Sequence, residues 1–524
     1  MEKLIYTVPA LHEPGAVLAW LQSHHPVRVE HKGLIEKDYL DTFDWRLFKA
    51  GWVMEALRNR AAVRLVWRAL DSCEVFLDQE FPQAPRFAWD LPEGPLRDRL
   101  APVLDVRALL PMLSTRTEWH RLSILNADGK TVLRMELSRD RQGRGQGGEP
   151  RDPPTYVRFQ PLRGYDKPYR HILKAMRHEL NMMPCPRDPF LELAEAEGKA
   201  PGRYSSRPQV QLQPTERTDV AAKKILHELL DIMLMNEDGV RRDLDSEFLH
   251  DYRVSIRRTR SLLSQVKKIF PEQRVARYRK EFAWLGQVTT PVRDMDVYLL
   301  SIDGYQASLP EALRAGLEDL KTFLVRRKTE THAALVKALD SARYRRLIES
   351  WRTFLESDVP QHTTLANAMR PVGEVASKRI WKVYKLVLKE GAAIDRDSPP
   401  EDLHELRKTC KKLRYLMEFF RSLYPRDRID QLIKVLKGFQ DNLGEYQDLF
   451  VQQESLKHFQ EEMAAEGGIK PLTQKAMECL VEDLHKRQDQ VRQEFAERFA
   501  AFSAKKNRTR FAELFSRPAL GLSA

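Results

Sequence analysis

Cysteine is scarce. Cys73, Cys185, Cys410 and Cys479 are the only four in 524 residues, and they form no CxxC or Cys/His metal spacing. A disulfide scaffold and a cysteine-bound metal are thereby excluded, and free buried thiols in a reducing compartment are expected. No run of eighteen apolar residues occurs, so no segment reads as a membrane span. The opening "MEKLIYTVPALHEPG" has no basic stretch leading into an apolar one, so a cytoplasmic protein without membrane attachment is expected. Also missing are a glycine-rich phosphate loop ending in Lys-Ser or Lys-Thr and a G-x-S-x-G elbow, which argues against a nucleotide-driven kinase and a nucleophile-elbow hydrolase. No cofactor, metal site or catalytic residue is assigned.

What the chain has is positive charge. Eighty-seven Lys plus Arg against seventy-five Asp plus Glu leave a net +12, which gives the sign of a partner, a polyanion or an acidic surface, but not its identity. The length allows two to four domains. Residues 1–196 hold short strand-like runs such as "AAVRLVWRAL", "CEVFLDQEF" and "KTVLRMELSRD". The Asp-Gly of "NADGK" predicts a hairpin joining "WHRLSIL" to "TVLRMEL". A flexible loop is expected at Gly143 to Pro154, and residues 197–216 read as a linker. Residues 217–512 then show helical periodicity, as in "VAAKKILHELLDIMLMNEDG" and "RIDQLIKVLKGFQDNLGEY", before a tail at 513–524.

The helical region writes the same word twice, as "HDYRVSIRRTR" from His250 and "HELRKTCKKLR" from His404. At about 100° per residue, His250, Arg253, Arg257 and Arg260 share one sector with Arg258 beside it, opposite Tyr252, Ile256, Leu262, Leu263, Val266 and Phe270. His404, Arg407, Lys411 and Arg414, with Lys412 beside them, repeat the sector against Leu406, Cys410, Leu413, Leu416, Met417 and Phe420. A solvated face usually mixes signs. Between His250 and Lys268, however, six basic residues meet one acidic residue, a self-repelling stripe that calls for an anion. Each word is followed by Leu-Gly, at Leu285-Gly286 and Leu443-Gly444, and then by an acidic turn, "RDMDV" or "QDLF". Together these recurrences describe a duplicated unit, with halves at about 217–360 and 361–512. Lys378, Lys382 and Lys385, with Arg379 at their side, form a further cationic stripe. In the acidic turns, helix capping is the expected use of Asp294, Asp296 and Asp448.

"LHDYRVSIRRTRSLL" with "LG" and "RDMDV", and "LHELRKTCKKLRYLMEFF" with "LGEYQD", closely resemble the two halves of the conserved-histidine α-helical domain, or CHAD, family. The resemblance implies an all-helical domain of two pseudo-symmetric four-helix bundles, whose basic helices line a groove or pore for inorganic polyphosphate. It assigns to that site His250, Arg253, Arg257, Arg258 and Arg260 from the first word, and His404, Arg407, Lys411, Lys412, Arg414 and Tyr415 from the second. Arg293, Lys378, Arg379, Lys382, Lys385 and Lys437 are grouped with them. Arginine offers bidentate contacts to phosphate, lysine point charge, and a histidine in the track either bonds phosphate or orients a neighbouring Arg. One departure is visible: "LGQVTTPVRD" is longer than "LGEYQD".

Upstream, "KDYLDTFDWRLFKAGWVM" resembles the YxDTxxxxLxxxG segment of the CYTH, or triphosphate tunnel, family. That resemblance implies an antiparallel barrel-like domain, an α+β chain overall, and a tunnel in which carboxylates hold a divalent cation against a triphosphate. The expected E-x-E-x-K opening is reduced to Glu2, with Leu4 and Tyr6 where its partners would stand. The family's R-x-R falls on Glu55 and Leu57 unless a small register shift brings in Arg58 and Arg60, and Glu136 and Asp140 remain as carboxylates. A catalytic relic is expected. The chain therefore reads as a polyphosphate-binding protein, with polyphosphate granules as a further setting. The alternatives are a divergent metal-dependent triphosphatase that uses the helices to recruit substrate, and a nucleic-acid binder, disfavoured because exposed aromatics for base stacking are absent from the motif helices.

Overall fold

The computed structural model describes residues 4–9, 12–58, 62–141 and 153–516. The chain forms two compact units, Met1–Tyr204 and Ser205–Ala524. Residues 197–216, read above as a linker, divide between them: Tyr204 is buried in the first unit and Leu212 in the second. Glu2, Arg60 and most of the loop expected at 143–154 lie outside the described residues.

The first unit runs β1 (Ile5–Val8), α1 (Pro14–His24), β2 (Val27–Asp41), α2 (Arg46–Lys49), β3 (Trp52–Arg58), β4 (Val63–Ala69), β5 (Val75–Phe81), α3 (Pro95–Leu104), β6 (Leu110–Leu125), β7 (Thr131–Arg141), β8 (Thr155–Pro161), α4 (Asp166–Glu179), β9 (Met183–Pro184) and α5 (Pro189–Ala196). Its nine strands form one sheet in the order β5-β4-β3-β2-β6-β7-β8-β1-β9, antiparallel at every pairing. Hydrogen bonding leaves β5 and β9 as edges, so the sheet is not closed, which is compatible with the barrel-like antiparallel domain expected above. The hairpin at Asn126–Lys130 forms as its Asp-Gly pair predicts, with Gly129 at φ +74° and its N–H bonded to Asn126 O.

The second unit is helical throughout: α6 (Thr218–Arg241), α7 (Ser246–Gln265), α8 (Glu272–Val288), α9 (Thr290–Ser308), α10 (Glu311–Arg314), α11 (Leu317–Leu339), α12 (Ala342–Glu356), α13 (Val372–Ala392), α14 (Pro400–Phe419), α15 (Arg426–Gly467), α16 (Pro471–Ser503) and α17 (Lys505–Phe515). The duplicated words are α7 and α14. One four-helix group packs α6, α7, α8 and α12, with Tyr278, Phe282, Trp351 and Phe354 as its aromatic centre. Its counterpart packs α13, α14, α15 and α17, where Tyr384 stacks on Phe511 at 3.8 Å. The far ends of α15 and α16 continue past this group to meet α9 and α11, joining the halves through Tyr298 against Phe459 and Lys470 with Asp319. None of the described helices is long and apolar enough to cross a membrane.

Both words are helical and buried behind, although α7 ends at Gln265, so Val266 and Phe270 are buried beyond the helix instead of on it. The segments read as acidic turns are not turns. "RDMDV" lies inside α9 and "QDLF" inside α15, because their apolar residues keep helical spacing. The three aspartates therefore do not cap helices; Asp296 is buried and paired with Lys328 at 3.0 Å. The longer first copy also has a plain cause. Pro291 ends α8 and starts α9, whereas the second copy runs unbroken as the 42-residue α15 until Gly468, at φ +88°.

Gly239 near the end of α6 gives a test of the packing, since a Cβ there would stand 2.2 Å from the ring of Phe248, which is 2% exposed. Helix propensity alone favours alanine over glycine by about 1 kcal/mol. Overpacking against a fixed ring costs about 1–3 kcal/mol and should win. Gly239→Ala is expected to lower the unfolding midpoint in denaturant, and a raised midpoint would show that Phe248 moves freely.

Candidate functional site

The two words meet in space. Arg258 on α7 is 4% exposed and forms a 2.9 Å ion pair with Glu418 on α14, while its other nitrogen donates to Ser206 O at 2.6 Å. Its guanidinium also lies over the buried ring of Tyr415, 5.7 Å from the centroid. Of the residues assigned to the polyanion, Arg258 and Tyr415 are thus engaged within the protein. Beside this tie Arg257, exposed at the preceding position of α7, adds to the burial that lowers the basicity of Arg407 and Lys411.

Around that point the remaining motif residues divide by exposure. Arg257 and Arg260 are exposed on α7, and Arg407, Lys411, Lys412 and Arg414 are half-buried on α14. Arg253 donates to Gly286 O at 3.1 Å and to the hydroxyls of Thr289 and Thr290 at 2.7 and 3.0 Å, so the break between α8 and α9 forms its cradle. Its counterpart Arg407 instead binds a carboxylate, Asp448 on α15, at 3.0 Å. His404 Nδ1 pairs with Gln447 Oε1 at 2.7 Å, next to that carboxylate, which suits the orienting role for the histidine. His250 is half-buried at the matching place on α7. Arg293 bonds Ser246 O at 3.2 Å, and Arg379 reaches from α13 to Gln265 at the end of α7. Lys378, Lys382, Lys385 and Lys437 are exposed.

A cavity of about 650 Å³ opens beside α14, lined by Arg407, Lys411 and Arg414, by Asp441, Glu445 and Asp448 of α15, and by Arg487 of α16. Arg487, Thr289, Thr290, Asp441 and Glu445 were not singled out from the sequence, and Asp448 was read there only as part of an acidic turn. Pro291 is the signal that would have drawn attention to the threonines, since it ends a helix there; Arg487 sits in no legible pattern. The crowding of cations has a measurable consequence. Burial, then Arg407 and Arg257, pull the Lys411 ammonium down to about 8, and burial with Arg257 pulls Arg253 down to about 10.

The interior of the first unit is of the opposite kind. Glu55 and Leu57 point inward, while Arg58 pairs with Asp38 at 2.7 Å and does not line the interior cavity; the register shift that would have made it a phosphate ligand is overturned for this residue. Glu55 binds Arg68 at 2.9 Å and Arg158 at 2.7 Å, Glu136 faces Arg158, and Asp140 is held by Lys37 at 2.8 Å and Thr117 at 2.6 Å. Burial alone would raise the Glu55 carboxyl, yet Arg158 and Arg68 hold it well below the usual carboxylate range. Only about 20 Å³ remains between these groups, room for no more than a water. The YxDTxxxxLxxxG segment has a local role instead. Asp41 accepts the N–H groups of Thr42, Leu47 and Phe48, Thr42 accepts that of Arg46, Leu47 is buried, and Gly51 takes φ +76°.

Residues 224–457 match the CHAD domain model, and the chain carries a CHAD domain there. Two uncharacterized proteins of Mycobacterium tuberculosis are each 29% identical over 264 residues, 49% of this chain and 47% of theirs, so the chain spans about half the length of the curated relatives it matches. Among solved structures, the CHAD domain of the plant Ricinus communis is similar at 24% identity and TM-score 0.48, covering 57% of this chain and 96% of its own. PptA from Streptomyces chartreusis is similar at 18% and 0.41, covering 54% and 99%. HpAC1 of Hippeastrum, described as having a dominant triphosphatase activity, is similar at 14% and 0.27, covering 38% and 98%.

Two outcomes are expected of this site without any ligand. Arg258→Met leaves the largely buried Glu418 with only Arg414, at 3.7 Å, and should cost up to about 3–5 kcal/mol of stability. Arg257→Ala, at an exposed position, should stay within about 0.5 kcal/mol; denaturant titrations compare the two. For Lys411, a folded value near 8 lies below an ordinary value of 10.5. The unfolded chain then binds more protons between those values, so stability rises with pH across that window. Thermal melts across it should show the rise in the native chain and its loss in Lys411→Met.

Proposed function

We propose that this CHAD-domain chain binds inorganic polyphosphate and holds it non-covalently on the cations that α7 and α14 bring together. The observation that carries the reading is the cavity of about 650 Å³ bordered by Arg407, Lys411, Arg414 and Arg487, where burial first, and then neighbouring cations that include Arg257 of the first copy, lower the basicity of Arg407 and Lys411. Groups so placed are destabilised by burial and by one another and are relieved by a dense anion, which favours their charged form and releases counterions. Polyphosphate suits such a cluster because it offers a charge at every phosphorus and no base that needs a stacking surface.

The triphosphatase alternative meets an interior in which the carboxylates are already bound by Arg68, Arg158 and Lys37, with no volume for a triphosphate. The first unit is then a structural or accessory domain. Buried thiols at Cys73, Cys185 and Cys410 suit a reducing cytoplasm, where granule-bound polyphosphate is one form of the ligand.

A salt titration of binding to long-chain polyphosphate, with RNA as competitor and free phosphate followed in the same samples, tests the proposal. Binding that weakens linearly on logarithmic axes, resists RNA and releases no phosphate is expected. Arg257→Glu combined with Lys411→Glu should weaken it by about a hundredfold or more while leaving helicity intact. Equal displacement by RNA, or unchanged affinity in the folded double variant, would remove α7 and α14 from the site.

A further inference from the structure

The cavity beside α14 is not uniformly basic. On α14, Arg407, Lys411 and Arg414 stand at i, i+4 and i+7; on α15, Asp441, Glu445 and Asp448 repeat that spacing with the opposite sign. A short turn at Arg421–Leu423 joins the two helices and makes them antiparallel neighbours. Arg407 and Asp448 close one end of the register at 3.0 Å, and Arg414 and Asp441 stand seven residues farther along their helices. Both stripes border the 650 Å³ cavity, whose remaining wall is formed by Leu300, Ser301, Gly304 and Tyr305 of α9 and Arg487 of α16. Gln440, 6% exposed, lines the same cavity, and neither polar atom of its amide has a hydrogen-bond partner among the described residues, so the wall lacks a polar occupant.

An anion entering this space meets repulsion from one wall as it gains attraction from the other, and it must displace Asp448 from Arg407. The acidic stripe presents a charge about every 4.5–6 Å along its helix. In polyphosphate successive phosphorus atoms share a single bridging oxygen, so its charge is denser than the stripe it displaces. In a nucleic acid a sugar separates the phosphates, and the bases add bulk. We propose that Asp441, Glu445 and Asp448 are specificity-determining residues, an internal competitor that only an anion of higher linear charge density displaces, and that they exclude nucleic acid from the cationic cavity. The inference rests on the polyphosphate reading and adds the basis of its selectivity.

The test uses the full chain and two probes of matched total charge, sodium polyphosphate and single-stranded oligouridylate, at one fixed salt concentration. In the triple variant Asp441→Asn, Glu445→Gln, Asp448→Asn, the oligouridylate is expected to bind about tenfold tighter or more, with polyphosphate gaining less than about threefold. Glu445→Gln alone, which breaks no ion pair observed among the described residues, should move the ratio in the same direction by a smaller factor and covers the case of a misfolded triple variant. Equal gains for both probes would reduce the stripe to general screening and overturn the inference, as would unchanged affinities. If the native chain binds no polyphosphate, the functional reading fails first. If it binds and discriminates, and the variants discriminate equally well, only the inference falls.

Discussion

The cationic site depends on one buried ion pair, Arg258 with Glu418. Two helices that each carry a stripe of like charge repel one another, and nothing in the stripes themselves would hold α7 against α14. A charge pair taken out of water contributes little net stability, but it is intolerant of misalignment, since either partner left alone costs several kcal/mol. Its worth here is therefore positional. With Arg258 fixed, its sequence neighbour Arg257 adds its charge to the burial that already lowers the basicity of Arg407 and Lys411.

The two units treat buried and half-buried charge in opposite ways. In the first, Glu55, Glu136 and Asp140 face Arg68, Arg158 and Lys37, so each buried carboxylate has a cation beside it and the interior is almost filled. In the second, the cations outnumber their partners and border a cavity, and burial together with the neighbouring cations lowers the basicity of Lys411. A satisfied network adds rigidity, whereas an unsatisfied one adds affinity for something absent. The DT segment fits this division, since capping α2 needs Asp41 and Thr42 whether or not any triphosphate is bound.

Duplication has not left the halves equivalent. Arg253 rests on the hydroxyls of Thr289 and Thr290 and the carbonyl of Gly286, groups freed where Pro291 interrupts the helix. Arg407 has a continuous helix opposite it and takes the carboxylate of Asp448 instead. Neutral dipoles orient a guanidinium without cancelling its charge, but a carboxylate cancels it. One half thus holds its arginine on neutral dipoles with the Asp294 carboxylate acting on it from nearby, and the other binds its arginine directly to a carboxylate.

Sequence alone determined what depends on spacing along the chain. The helical period of the two words, their apolar backs with Cys410 among them, the Asp-Gly hairpin and the change from strand to helix near residue 200 are all local, and the chain follows them. The family resemblance named the domain for the same reason, because its motifs are local spacings. Only the tertiary structure decided which cations remain available. Arg257 and Arg258 are adjacent and chemically identical, yet one is exposed and the other bound to a carboxylate 160 residues away. The same holds for the acidic stripe, of which only Asp448 drew notice in the sequence, because its partners on α14 are distant in sequence. Pairing between remote residues depends on how helices register against each other, a property of their packing surfaces that no periodicity within one helix encodes.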